Sequence, residues 1–256
     1  MATKAKVTPI TSAPSAGKAK GTAVAVKTGS NIVNIQDMLR KQAAEMSDKI
    51  APVSGNAIRL SPGKFTLPDG TTATSLQLVI VDFASKNTFY ENSYDAKNIT
   101  PPACFAIGSN PLKLVPSDNS PLTQATDCNS CPNNQFGSAG DGKACKNTRY
   151  MAVLPPDADA DTPMWTLATS PTGNKGFDTM VASIARVFQM PPVGVVVTVS
   201  MDPAVTYAKL VFSDPQPNPN IEAHFARQDE ARAMLSTEPD VSSFVKAPAK
   251  KTAGRR

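Results

Sequence analysis

Ser75-Leu76-Gln77-Leu78-Val79-Ile80-Val81-Asp82-Phe83 is the stretch on which the fold turns. Leu76, Leu78 and Ile80 interleave with Val79, Val81 and Phe83, so an extended chain here is apolar on both faces. Such a strand must be covered on both sides, which places it centrally in a sheet. Upstream, Ser61-Pro62-Gly63 precedes Lys64 to Leu67 and Pro68-Asp69-Gly70 follows it, giving short extended segments bounded by turn chemistry. Downstream, strand patterns recur at Arg149 to Leu154, Met164 to Thr169, Val193 to Met201 and Val205 to Ser213, the last two joined at Asp202-Pro203.

Helical periodicity is confined to three places. Ile35, Met38, Leu39, Ala43, Met46 and Ile50 recur at three- and four-residue steps and predict a helix over 34–50, stopped by Pro52. After Gly173 and Gly176, Phe177, Met180, Val181, Ile184, Val187 and Phe188 mark one face of a second helix, ended by Pro191-Pro192. A Pro/Asn linker from Asp214 to Asn220 then leads into a charged helix from Ile221 to Leu235. There the sole histidine, His224, is expected in solvent, while the sole tryptophan, Trp165, is expected in the core.

The chain has 256 residues and a net charge of +5, but the distribution matters more than the total. Lys4, Lys6, Lys18, Lys20 and Lys27 lie in residues 1–30, and Lys246, Lys250, Lys251, Arg255 and Arg256 lie in the last eleven, with no acid in either segment. Removing those ten from 26 basic residues leaves 16 against 21 acids, a body charge of −5. Both ends are rich in Pro, Ala, Lys, Thr and Ser and are expected to be flexible. The expected organisation is a basic tail over 1–30 and one globular domain over 31–213. A linker and helix over 214–240 and a basic tail over 241–256 complete it. No stretch has the apolar length of a signal peptide or a membrane span, so a cytoplasmic protein without a membrane partner is expected.

Residues 98–148 hold all four cysteines amid Pro, Gly, Asn and Ser, spaced C-x23-C-x2-C-x13-C as Cys104, Cys128, Cys131 and Cys145. A structureless loop of this length inside a domain needs something to order it. Reduced cytosolic thiols clustered in this way suit a metal, and the two-residue spacing of Cys128 and Cys131 suits tetrahedral zinc. An iron-sulfur cluster, buried free thiols or a redox pair are the alternatives. A closed four-thiolate site leaves no position for a reacting water, so zinc would be structural. No Walker, HExxH, GxSxG or deaminase pattern occurs, and the chain is not expected to be an enzyme. The expected fold class is α+β, mainly β: an OB-like antiparallel barrel or sheet with a four-cysteine zinc-binding insertion and flanking helices.

Pro101-Pro102-Ala103-Cys104, Cys128-Asn129-Ser130-Cys131-Pro132-Asn133-Asn134-Gln135-Phe136-Gly137-Ser138 and Gly142-Lys143-Ala144-Cys145 together form a distinctive pattern. Over residues 55–155 it resembles a family of tailed-bacteriophage zinc-containing proteins associated with single-stranded DNA binding. The resemblance implies a phage-encoded protein of the host-cell cytoplasm acting in DNA replication, recombination or transcription. The basic C-terminus departs from the acidic tail commonest among phage single-strand binders. An alternative partner is a phage DNA or RNA polymerase, recruited by a non-enzymatic cofactor whose zinc is only a staple. The acidic body favours that alternative.

Single strands are held by aromatic faces for the bases and cations along the backbone. Lys86, Phe89, Tyr90, Tyr94 and Lys97 interleave both types in one polar segment, and Lys143, Lys146, Arg149 and Tyr150 form a second group beside the last cysteine. Phe89 and Tyr90 could equally pack at a strand edge. Phe136 is expected to pack over the metal, and Lys175, near a helix start, is a weak phosphate candidate.

Overall fold

The computed structural model describes residues 55–93, 95, 97 and 99–244, together with Ile35, Met38, Leu39, Lys41 and Gln42. The chain divides after Val53 into two units. In the first, the five described residues are helical and lie within the span 34–50 read as a helix. The remainder of that span, Pro52, the N-terminal tail, Tyr94 and the C-terminal tail from residue 245 onward lie outside the described residues.

The second unit is α+β, mainly β. Strands β1 (Arg59–Ser61), β2 (Lys64–Thr66) and β3 (Thr72–Ala73) form a small antiparallel meander. Its turns are made by Gly63 and Gly70, which hold φ of 75° and 86°, a region glycine enters without a Cβ penalty. The main sheet is built on β4 (Ser75–Phe89), with β5 (Cys104–Gly108), β6 (Lys146–Leu154), β7 (Trp165–Ala168), β8 (Val195–Met201) and β9 (Leu210–Pro217), all pairs antiparallel. The order is β7-β6-β4-β8-β9, with β5 also on β4. Val79 to Thr88 pair with β6, while Ser75 to Val79 pair with β8 and Ser85 to Phe89 with β5. Thus β8 and β5 share one edge of β4 end to end.

As predicted, β4 is central and covered on both faces. One face carries Leu78, Ile80, Met151, Val153 and Leu167 beneath α1 (Asn174–Val187), which contributes Phe177 and Ile184. The opposite face carries Val79, Val81, Ala152, Leu154 and Val196 beneath α3 (Gln228–Leu235), which contributes Ala231 and Leu235. Strict alternation groups Phe83 with Val79 and Val81, but a register shift between Ile80 and Asp82 corrects this. The extra residue reverses the parity, and Phe83 joins the face of Leu78 and Ile80.

No barrel closes: among the described residues the sheet is open, with β7 and β9 at its two ends. The outer side of β7 is capped by Ala57 through a bridge to Thr166, with Ile58 N–H donating to Thr166 O at 2.8 Å. The end of β9 carries Pro215 and Pro217, which have no N–H to donate, and Asp214 at φ 50°. These features block further pairing there. Strand β9 also runs through most of the segment read as a linker, and the predicted C-terminal helix is two, α2 (Ile221–Phe225) and α3.

His224 on α2 is fully buried, contrary to the expectation of a solvated residue. Its Nδ1 lies 3.0 Å from the Asn218 amide nitrogen and its Nε2 3.3 Å from Ala158 O. Asn218 Nδ2 donates to that ring nitrogen, so the proton sits on Nε2 and the ring is neutral. Burial first, and then the charge of Arg227, hold its pKa below the ordinary 6.5, against the opposing Ala158 contact. Only the unfolded chain then takes up a proton as the pH falls below 6.5, so this stability is full above that value and shrinks on acidification. Thermal melts across pH 7 to 5 are expected to show a falling Tm whose slope is shallower in a His224→Gln chain; equal slopes contradict the assignment.

Candidate metal centre and nucleic-acid interface

The insertion is ordered from both ends by the sheet. Cys104 opens β5 opposite Phe89, and Cys145 immediately precedes β6. Between them, Cys128 N–H donates to Leu114 O at 3.0 Å and Asn134 Nδ2 to Cys128 O at 2.6 Å. A short 3-10 turn, Pro132–Asn134, follows Cys131, and Asn134 N–H donates back to Cys131 O at 2.9 Å. Cys145 N–H donates to Asn133 O at 2.8 Å, which ties the last cysteine to that turn. Asp127 accepts from Ser130 N–H at 2.8 Å and from the Ser130 hydroxyl, which fixes the two-residue bend between the central cysteines.

All four cysteines are buried, unpaired and lining one cavity of about 20 Å³ with Asn87, Phe89, Asn133 and Asn134. That is the room of one small sphere. Among the described residues, no group of three or more His, Cys, Asp or Glu side chains forms a metal-holding arrangement as it stands. The thiols nevertheless feel one another. Burial first, then Cys128, Cys131 and Cys104, push the Cys145 thiol up to about 12, with Lys143 opposing. Burial likewise raises Cys128, offset in part by a hydrogen bond from Asn87. Around Cys128 and Cys145, burial works against the thiolate that a redox pair needs near neutral pH. The donor set fits a thiophilic ion: four soft donors face one small space, and no carboxylate lines it.

The candidate DNA contacts are dispersed. On the α3 side of the sheet, the Lys86 ammonium sits 5.2 Å from the ring centre of half-buried Tyr150, and burial lowers its pKa. Phe89, half-buried, faces the cysteine cavity. Arg149 is buried and gripped by both carboxylate oxygens of Asp178 at 2.8 and 2.7 Å, so its charge is committed to anchoring α1. It is removed from the DNA candidates for that reason. Lys97 is exposed, and Lys175 lies exposed in the first turn of α1.

Tyr90, Lys143 and Lys146 are brought together. Tyr90 and Lys146 line a groove of about 660 Å³, and Lys143 and Lys146 line a second of about 530 Å³; the two share Ala139 and Lys146. The second groove also holds Phe136, whose ring is 81% exposed with the Lys143 ammonium 5.1 Å from its centre. Phe136 does not pack over the thiols as expected. It precedes Gly137, at φ 89°, and the turn closes where Gly137 N–H donates to Gly142 O at 3.0 Å. An aromatic at the head of a Gly/Ser turn, with no apolar neighbour in sequence, was the signal available for it. Comparisons with protein-family models, curated proteins and solved structures return no significant match.

Proposed function

We propose that this chain is a phage-type single-stranded DNA-binding protein acting in DNA replication, recombination or transcription, with a structural zinc ion held by Cys104, Cys128, Cys131 and Cys145. The observation that carries the reading is Phe136. A phenylalanine 81% exposed, on a turn fixed by backbone hydrogen bonds in a groove with Lys143, Lys146 and Asp141, leaves an apolar face in water unless something stacks on it. Unstacked bases do so, while Lys143 and Lys146 beside it suit the phosphates. A cavity of about 20 Å³ favours one ion over an iron-sulfur cluster. The closure of an OB barrel is not required, because the proposed contacts lie on the insertion and on strand ends. When bound, zinc would hold the two ends of the Phe136 turn through Cys131 and Cys145.

A fluorescence-anisotropy titration of full-length protein with labelled oligo-dT tests the reading. Phe136→Ala is expected to weaken binding about fivefold to a hundredfold, the cost of one lost base stack. Unchanged affinity removes Phe136 from the interface, and no binding by the parent chain removes the function. The alternative, a non-enzymatic cofactor that recruits a phage DNA or RNA polymerase, draws support from the negative charge of the body.

A further inference from the structure

Between the ends of β8 and β5, the edge of β4 takes no strand among the described residues. Side chains satisfy it instead. Phe83 N–H donates to its neighbour Asp82 at 2.8 Å, and the Gln228 amide donates to Val81 O at 3.4 Å. Beside this gap lies a cleft of about 670 Å³, lined by Ala84 and Ile107, by residues of the loop 109–119 and by the end of α3. Its charged groups are Asp82, Asp118, Glu238 and Arg232, a net of −2. Arg232 is already paired with Asp82 at 3.2 Å. Glu238 accepts from Ser117 Oγ at 2.5 Å and Asn119 Nδ2 at 2.6 Å, and these bonds lower its pKa and hold it charged at the rim. Val115, on the same loop, is 60% exposed.

We infer that this cleft docks the chain's own basic C-terminal segment, residues 245–256. Three observations select that occupant. The segment starts seven residues after Glu238, and its twelve residues can extend about 40 Å, so the cleft is within reach. It carries Lys246, Lys250, Lys251, Arg255 and Arg256 without an acid, against a cleft with excess carboxylate. Its remaining residues, Thr252 apart, are small and apolar, among them Ala247, Pro248 and Ala249, matching the apolar Ala84 and Ile107 beneath the acidic groups. Lysine stems lie on apolar surface while their ammonium groups reach carboxylates. A short tether holds the segment at millimolar local concentration, so individually weak contacts suffice. This inference is independent of DNA binding by the Phe136 face.

Zero-length carbodiimide cross-linking of full-length protein, an equal mixture of ¹⁵N-labelled and unlabelled chains at low salt, tests it by mass spectrometry. The expected products join Lys246, Lys250 or Lys251 to Asp118 or Glu238 within one isotopic species. They should fall severalfold at about 1 M salt, where the screening length is about 3 Å. In an Asp118→Asn, Glu238→Gln chain, which keeps a carbonyl acceptor for the Asn119 amide and offers an amide donor to the Ser117 hydroxyl, these products should vanish without transfer to other acids. A circular-dichroism melt matching the parent shows that this chain is folded. Links spread across exposed acids such as Asp157 and Glu230, links of mixed isotope, or N-terminal lysines in the cleft each overturn the inference.

Discussion

Cys131→Ser is expected to lower bound zinc from one ion per chain to near zero and to open the insertion between β5 and β6 to protease. The substitution is a narrow one. Cys131 contributes its backbone carbonyl to Asn134 N–H, at 2.9 Å, and to the Gln135 amide, at 3.2 Å, and serine retains both. What is lost is a sulfur donor. Structural zinc supplies about 10–16 kcal/mol of apparent binding free energy in small zinc peptides, and that binding energy is folding energy. Here β5 and β6 are held independently by β4, so the loss should be confined to the segment between them. Metal analysis by mass spectrometry, paired with limited proteolysis, checks both halves. Cuts should cluster between residues 109 and 145 while 75–89 and 146–154 survive. Acidification should strip the ion likewise, because protons compete with the metal for the thiolate sulfurs. A parent chain free of metal, or an insertion equally resistant after the substitution, would defeat the zinc assignment.

The parts of this fold legible in sequence are those governed by one-dimensional periodicity. The two-faced apolar run of β4, the α1 stripe of Phe177 and Ile184 and the strand at Arg149 to Leu154 all lie where the pattern places them. What sequence could not supply depends on partners distant along the chain. The bulge after Ile80 has no local marker, yet it decides that Phe83 faces α1 and Lys86 faces the α3 side. His224 sits in a charged helix and reads as solvated until Asn218 and Ala158 are found around it. Arg149 reads as a DNA cation because Asp178, 29 residues away, is invisible to spacing. Phe136 misled in the other direction. Proximity to Cys131 suggested burial, whereas the Gly/Ser turn carries the ring outward. The four cysteines were legible as a cluster, and the fold places them around one cavity.

Phe177→Ala should be the most damaging apolar truncation in the core under α1. Phe177 is fully buried and stands edge-on to two other rings, Phe83 at 5.0 Å and Phe212 at 5.5 Å. Those rings belong to β4 and β9, so one side chain ties α1 to the centre and to the edge of the sheet. Truncating a buried Phe to Ala typically costs about 3–5 kcal/mol, because the vacated volume only partly collapses. The two edge-on contacts add about 0.5–1.5 kcal/mol each in favourable cases. Against a domain stability of about 5–15 kcal/mol, the loss approaches the threshold for folding. Urea titration should show a lower midpoint with an unchanged slope, and Phe177→Leu should recover most of the loss by filling the space. Bound zinc should stay at the parent stoichiometry in whatever fraction remains folded, since neither Phe83, Phe177 nor Phe212 lines the thiol cavity. The opposite pattern in Cys131→Ser, metal gone and sheet retained, would separate the two proposed organisers of this chain: an apolar core that builds the sheet and an ion that would order the loop carrying Phe136.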